Sequence, residues 1–180
     1  SRGTDTLKFT KIKLEGAYII EPEKISDERG FFARVWDSKI LNEKNLSSKI
    51  TQCNISFNNI KGTIRGLHFQ KKPFEEEKIV RCTRGKIFDV IVDLRKKSNT
   101  YLQYYNVELN ETNQNMLFIP KGFAHGFQTL EDNCEVFYQM SEFYNSDKAD
   151  GIRWDDKAIN IKWPLQLTKI SEKDQNYRYL

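Results

Sequence analysis

Histidine is scarce in this 180-residue sequence: there are two, alongside two methionines, three cysteines and four prolines. Two imidazoles cannot supply the three or more that small β-barrel metal sites commonly use. The sequence has no His-x-His pair, and Cys53, Cys82 and Cys134 lack Cys-x-x-Cys spacing, so no metal is expected. Odd in number and far apart, the cysteines read as reduced packing residues of a cytoplasmic protein. No run of eighteen apolar residues occurs, which excludes a membrane-spanning helix. Segment 1–6 lacks the apolar core of a secretion signal and is set aside as a disordered leader or tag remnant. Charge of one sign is also sparse. The net charge is +4, with lysines interleaved among acids such as Glu75, Glu76 and Glu77. No basic element of the kind that grips nucleic acid stands out, so a small anionic ligand fits better than a polymer.

What is present is β-forming sequence. Aromatics make up 13% and charged residues 30%, a balance suited to a packed globule. Apolar runs at Gly16–Ile20, Ile79–Thr83, Lys86–Leu94, Tyr104–Leu109, Met116–Ile119 and Cys134–Met140 predict strands. Turn signals such as Glu21-Pro22, Arg84-Gly85 and Pro120-Lys121-Gly122 separate them. The partial alternation in Lys86–Leu94 predicts a half-buried strand. Many short strands predict an antiparallel all-β sandwich or barrel. Helix is expected only over Ser38–Asn45, capped by Asp37 or Ser38, and in the polar tail after Trp163-Pro164. No repeat or linker interrupts the chain, so residues 7–180 read as one domain.

Both histidines lie among glycines and aromatics: His68 in Gly62-Thr63-Ile64-Arg65-Gly66-Leu67-His68-Phe69-Gln70, His125 in Ile119-Pro120-Lys121-Gly122-Phe123-Ala124-His125-Gly126-Phe127. Glycines let a ligand approach the backbone closely, and each histidine has a cationic residue nearby. A pair of structural histidines is the competing reading.

Those two segments, with Asp27-Glu28-Arg29-Gly30-Phe31-Phe32, Asp89-Val90-Ile91-Val92-Asp93-Leu94-Arg95, Gly151-Ile152-Arg153-Trp154-Asp155-Asp156 and Ser171-Glu172-Lys173-Asp174, resemble the motifs of the dTDP-4-dehydrorhamnose 3,5-epimerase family, in family order from about Leu14 to Asp174. The resemblance implies a cupin-like double-stranded jelly roll with a few short helices. It also implies no cofactor, and a homodimer in which the segment around Arg29 reaches the partner's active site. The implied activity is inversion at C3, C5 or both of a nucleotide-linked 4-keto-6-deoxy sugar, in a cytoplasmic pathway feeding a surface glycan.

The 4-keto group acidifies the hydrogens on C3 and C5, so inversion needs a base on one face, an acid on the other and a stabiliser for the enolate oxygen. By resemblance His68 is the base, Asp174 its dyad partner, Tyr138 the acid and Lys78 the enolate stabiliser. Arg29 and Arg65 correspond to diphosphate-binding arginines, whose forked donors suit phosphate. Gln52, Asn54, His125 and Lys173 correspond to further substrate contacts. Tyr144 corresponds to a ring that stacks on the nucleobase, opposed by Phe31 or Phe32.

Two positions depart from the family pattern. Arg34 and Ala149 stand where glutamates are expected at the nucleotide end. Arginine only donates, which suits acceptor edges such as those of cytosine or guanine. CDP- and GDP-linked sugars therefore stand beside dTDP-linked ones as expected substrates. Lys61 or a neighbour reads as a loop insertion. The competing function classes are a non-catalytic sugar-nucleotide binding module, disfavoured by the joint presence of His68, Asp174, Tyr138 and Lys78, and a metal-dependent cupin, disfavoured by the histidine count.

Overall fold

The computed structural model of the protein describes residues 6–180. Most of the expected leader thus lies outside the described residues. Thr6 belongs to the fold, because its carbonyl accepts a hydrogen bond from the Glu23 amide at 2.9 Å. In chain order the elements are β1 (Leu7–Lys11), β2 (Tyr18–Pro22), β3 (Ile25–Asp27), β4 (Gly30–Phe32), α1 (Ser38–Glu43), β5 (Gln52–Asn58), β6 (Ile64–Gln70), β7 (Lys78–Arg84), β8 (Lys86–Asp93), β9 (Tyr104–Asn110), β10 (Met116–Ile119), β11 (Phe123–Thr129), β12 (Cys134–Met140), β13 (Ala149–Gly151) and α2 (Glu172–Gln175).

Two antiparallel sheets face each other in an all-β, cupin-like jelly roll. One has the order β1-β2-β10-β7-β12-β5 and the other β13-β6-β11-β8-β9, while β3 and β4 form a separate hairpin. The inner faces meet in a core of Val80, Cys82, Ile87, Ile91, Leu109, Leu117, Ile119, Phe123, Phe127, Cys134 and Val136. Each such aliphatic side chain, fully buried, is worth about 1.5–3 kcal/mol. Parts of the outer faces are covered as well. Ile40 and Leu41 of α1 pack on Leu7, Ile20, Ile79, Met116 and Phe118. Ile152 and Ile159 pack on Leu67, Val90, Val92 and Ala124.

That second covering layer corrects the reading of β8 as half-buried. Ile87, Asp89, Ile91 and Asp93 alternate with Val90 and Val92, and all six are buried because segment 152–163 seals the outer face. The helix forms where expected. Asp37 has extended backbone, and its carboxylate accepts from the Ile40 amide at 3.1 Å, which satisfies one of the free donors of the first turn. The polar tail holds α2, capped by Ser171, whose hydroxyl accepts from the Asp174 amide.

Candidate active site

The period-2 alternation of strands turns sequence neighbours to opposite faces, and here it fills one end of the jelly roll with polar side chains. On β5 the inward residues are Gln52, Asn54, Ser56 and Asn58, while Cys53, Ile55 and Phe57 face out and are exposed. This inverts the usual order of apolar inside and polar outside. On the neighbouring inward positions, Tyr138 of β12 pairs with Asn54 of β5 and Val80 of β7, and Lys78 pairs with Met140. The opposite sheet contributes His68, which is directly paired with His125 across β6 and β11. Between the sheets lies a cleft of about 490 Å³, in the usual range of ligand sites, lined by Gln52, Asn54, His68, Glu76, Lys78, Tyr138, Tyr144, Lys173 and Tyr177 among others. A larger, shallower hollow of about 620 Å³ runs along β9, but Lys13 and two tyrosines are its only titratable lining groups.

His68 is held by Asp174. Its Nε2 lies 2.7 Å from Asp174 Oδ1, while Asp174 Oδ2 accepts from the Gly66 amide at 3.0 Å. Burial alone would raise the Asp174 carboxyl; the bonds from His68 and Gly66 outweigh it and leave the carboxyl below its usual range. An ionised carboxylate accepts only, so Nε2 carries a proton, and in the neutral imidazole the lone pair is on Nδ1. Gly66 is required locally. Its φ is +111°, and a Cβ there would come within 2.7 Å of Gly126 Cα and His125 O, where β6 and β11 approach.

Facing His68 across the cleft, Tyr138 is pushed up from the ordinary phenol value chiefly by burial, so it is a proton-bearing phenol at neutral pH. The Lys78 ammonium lies over its ring, 5.6 Å from the centroid, and pairs with Glu76 at 3.4 Å. Lys78 is therefore a buried cation rather than a solvated strand end. Burial raises the Glu76 carboxyl, with Lys78 and His125 opposing. His125 itself lies beneath the cleft, its Nε2 2.7 Å from the fully buried Asp89.

The structure thus gathers Gln52, Asn54, His68, Lys78, Tyr138, Tyr144 and Lys173 on one cleft, with Asp174 directly behind His68. Arg65 sits beside it, donating to Asn58 Oδ1 and the Phe57 carbonyl. His125 is not a lining residue; it is spent on Asp89. Arg29, Phe32 and Arg34 stand outside this chain's own cleft. Arg29, 86% exposed in its side chain, bonds to Asp27 in the β3–β4 hairpin, and Phe32 is 67% exposed. Arg34 lies 3.8 Å from Asp37, the α1 cap. Ala149 does line the cleft, with Asp150 beside it. Among the described residues no group of three or more His, Cys, Asp or Glu is placed to hold a metal, and no helix is long and apolar enough to cross a membrane.

Four lining or supporting residues escape a reading of the sequence: Glu76, Asp89, Asp150 and Tyr177. Asp89 had a usable signal, as a carboxylate on the apolar face of an alternating strand. Glu76, inside a run of three glutamates, had none.

Known proteins share these features. The sequence profile of dTDP-4-dehydrorhamnose 3,5-epimerase matches residues 11–180. The chain is 47% identical over 177 residues to dTDP-4-dehydrorhamnose 3,5-epimerase of Methanothermobacter thermautotrophicus, covering 96% of this chain and 94% of that one. The crystal structure of the Bacillus anthracis dTDP-4-dehydrorhamnose 3,5-epimerase with TDP and pyrophosphate bound superposes with a TM-score of 0.94 at 39% identity, covering 97% and 99% of the two chains. The Legionella pneumophila enzyme in complex with dTDP-4-keto-L-rhamnose does so with a TM-score of 0.91 at 33% identity, covering 96% and 92%. A jelly roll with one polar cleft, matched over nearly its whole length by these proteins, belongs to the dTDP-4-dehydrorhamnose 3,5-epimerase family.

Proposed function

We propose that this isomerase inverts C3, C5 or both of a dTDP-linked 4-keto-6-deoxy sugar, with His68 as base and Tyr138 as acid. The observation that carries the reading is that the Asp174-braced imidazole and the protonated phenol enter one cleft from opposite sheets. His68 Nδ1 takes the proton from the carbon beside the ketone. The C–H electron pair forms the C=C bond, and the carbonyl oxygen becomes an enolate oxygen, stabilised by the Lys78 ammonium. The C=C pair then takes the Tyr138 proton on the other face of that carbon to form the new C–H bond, an enolate-oxygen pair re-forms the C=O bond, and solvent resets the imidazolium and the phenolate.

The dTDP and TDP of the related enzymes support a thymine nucleotide. Tyr144 offers a stacking ring, and the Asp150 carboxylate can accept from a ring N–H, which thymine and guanine have and cytosine lacks. Arg34, 3.8 Å from Asp37, stands outside this chain's own cleft. Arg65 at the rim suits the diphosphate.

The same reading includes a homodimer whose Arg29 hairpin enters the partner's cleft. All six residues of β3 and β4 are exposed, Phe31 and Phe32 among them. The exposed Ile55 and Phe57 on β5 add an apolar strip that a second copy would cover. A cytoplasmic setting follows from nucleotide sugars being made there for surface glycans.

The test is incubation in D2O with dTDP-, CDP- and GDP-linked 4-keto-6-deoxy sugars, with mass spectrometry counting deuterons in the sugar. One deuteron in the dTDP compound points to one centre and two to both. Incorporation into a CDP or GDP sugar alone would move the nucleotide assignment. Binding without incorporation would replace catalysis by a binding module.

A further inference from the structure

The chain beyond α2 folds back along β13 and sets Tyr177 against the His68 imidazole. The two rings meet edge to face, with centroids 6.1 Å apart and planes at 76°. On its other side the Tyr177 ring lies on Gly151, where a Cβ would fall 2.3 Å from ring atoms Cε2 and Cζ. Gly151 is the β13 residue paired with His68. Its φ lies outside the left-handed region, so backbone conformation does not require glycine there; space for the tyrosine ring does. The flanking tail is fixed at both ends. Asn176 closes α2 through its amide to the Lys173 carbonyl and its side chain to the Glu172 carbonyl. Farther on, the Leu180 amide donates to Asp156 Oδ2 at 2.7 Å, and the Arg153 guanidinium lies 4.4 Å from the Tyr179 ring centroid. Burial, the charges of Asp174 and Asp150, and a hydrogen bond from its hydroxyl to Asp174 push the Tyr177 phenol upward, so it stays uncharged. Lys173, Lys71 and Asp150 are the other charged side chains at this wall of the cleft.

We propose that Tyr177 is a positioning residue for His68: its ring, seated on Gly151, holds the imidazole in the orientation that keeps Nε2 on Asp174 and Nδ1 toward the cleft. This rests on His68 being the base. A ring that loses its wall samples other χ2 settings, and misplacement of about 1 Å costs about 100-fold in rate at the extreme.

Four variants test it: Tyr177→Phe, Tyr177→Ala, Gly151→Ala and the double Gly151→Ala/Tyr177→Ala, each verified as folded by thermal melting. Tyr177→Phe keeps the ring and removes only the hydroxyl that meets Asp174, so its loss in kcat is expected to be smaller than that of Tyr177→Ala. Tyr177→Ala is expected to lower kcat about tenfold with little change in KM, and to shift the acid limb of the kcat/KM–pH profile. Gly151→Ala should resemble it, since the new methyl displaces the ring, yet cost nothing further when Tyr177 is already alanine. A kcat unchanged in Tyr177→Ala, a change confined to KM, or a Gly151→Ala cost equal in both backgrounds would overturn the proposal. A second readout needs no turnover. In 15N-histidine NMR, His68 should be a single Nε2–H tautomer in the wild type and a mixture in Tyr177→Ala, and an unchanged spectrum sinks the positioning role. If wild type shows that tautomer but no deuterium exchange on any sugar, the epimerase reading has failed and the packing has not.

Discussion

At the scale of single residues, the two faces of the cleft should be separable by substitution. Asp174→Asn replaces an acceptor-only group by an amide that can also donate, so the His68 tautomer is no longer fixed. The expected loss in kcat is about 100- to 10,000-fold, the range of general acid–base contributions, with nucleotide binding retained; a mild loss would remove the dyad from the mechanism. Tyr138→Phe takes away the acid and leaves the base. His68 would still remove a proton and return one from solvent to the same face, so deuterium should enter the sugar while inverted product falls by a similar factor. Loss of exchange and inversion together would instead place the first proton transfer on Tyr138. The pH profile follows from the phenol. Burial raises Tyr138 from its ordinary value, so the acid is lost only as pH rises past that raised value, and the alkaline limb of kcat should lie above about 10. An alkaline limb well below that point would show that another group is the acid.

At the scale of elements, the β8–β9 connection is organised by one carboxylate. Asp93 accepts from the Arg95 amide and guanidinium, from Ser98 and from Thr100. Burial would raise it, but these bonds outweigh burial and hold it down at about 2, from 3.8. A depressed carboxyl contributes stability above its unfolded value and loses it as pH falls through the folded one, here between about pH 4 and 2, and the depression is worth roughly 2 kcal/mol. Asp93→Asn should remove that part of the pH dependence and cost about 2–4 kcal/mol at neutral pH, because it leaves the Arg95 fork unpaired. Denaturant midpoints from pH 7 to 2 check both; parallel profiles for the two proteins would refute the assignment. The same strand shows what a sequence discloses. Residues 104–110, 116–119 and 134–140 are legible because apolar residues lie where strands bury them. β5 is not legible by that rule, since its inward side is Gln52, Asn54, Ser56 and Asn58, the first two lining the cleft, while its apolar Ile55 and Phe57 face out. β6 and β11 are hidden because glycine, arginine and histidine interrupt them. Their glycines are required by the close approach at Gly66 and Gly126, a property of the pair that neither strand shows alone. The His68–Asp174 pairing became readable through motif order, whereas Tyr177 stayed invisible because its partner is an absent side chain at position 151.

At the scale of the whole molecule, the proposed dimer accounts for the exposure of Arg29, Phe31 and Phe32. A two-stranded hairpin with every residue exposed is marginal by itself, and the aromatics of the hairpin and the apolar outer side of β5 are each exposed surface that water does not favour. A two-fold dimer in which each hairpin completes the other's cleft would cover both features and supply an arginine for the diphosphate. Complementation tests this reading directly. Arg29→Ala dimers lack the arginine in both clefts, and His68→Ala dimers lack the base in both, so each should be nearly inactive. After the two are unfolded and refolded together, half of the dimers are mixed, and each mixed dimer has one cleft with its own His68 and an intact partner Arg29. Activity should therefore return to about a quarter of wild type. If Arg29 served its own cleft, the mixed dimer would hold one cleft without arginine and one without base, and no activity would return. Placing a lysine at Ile55 makes the complementary test. If that face is the seam, Ile55→Lys should shift the protein towards monomer in sedimentation and lower kcat/KM with dilution, even though residue 55 points away from the cleft. A variant that remains dimeric and fully active would put the seam elsewhere on the molecule.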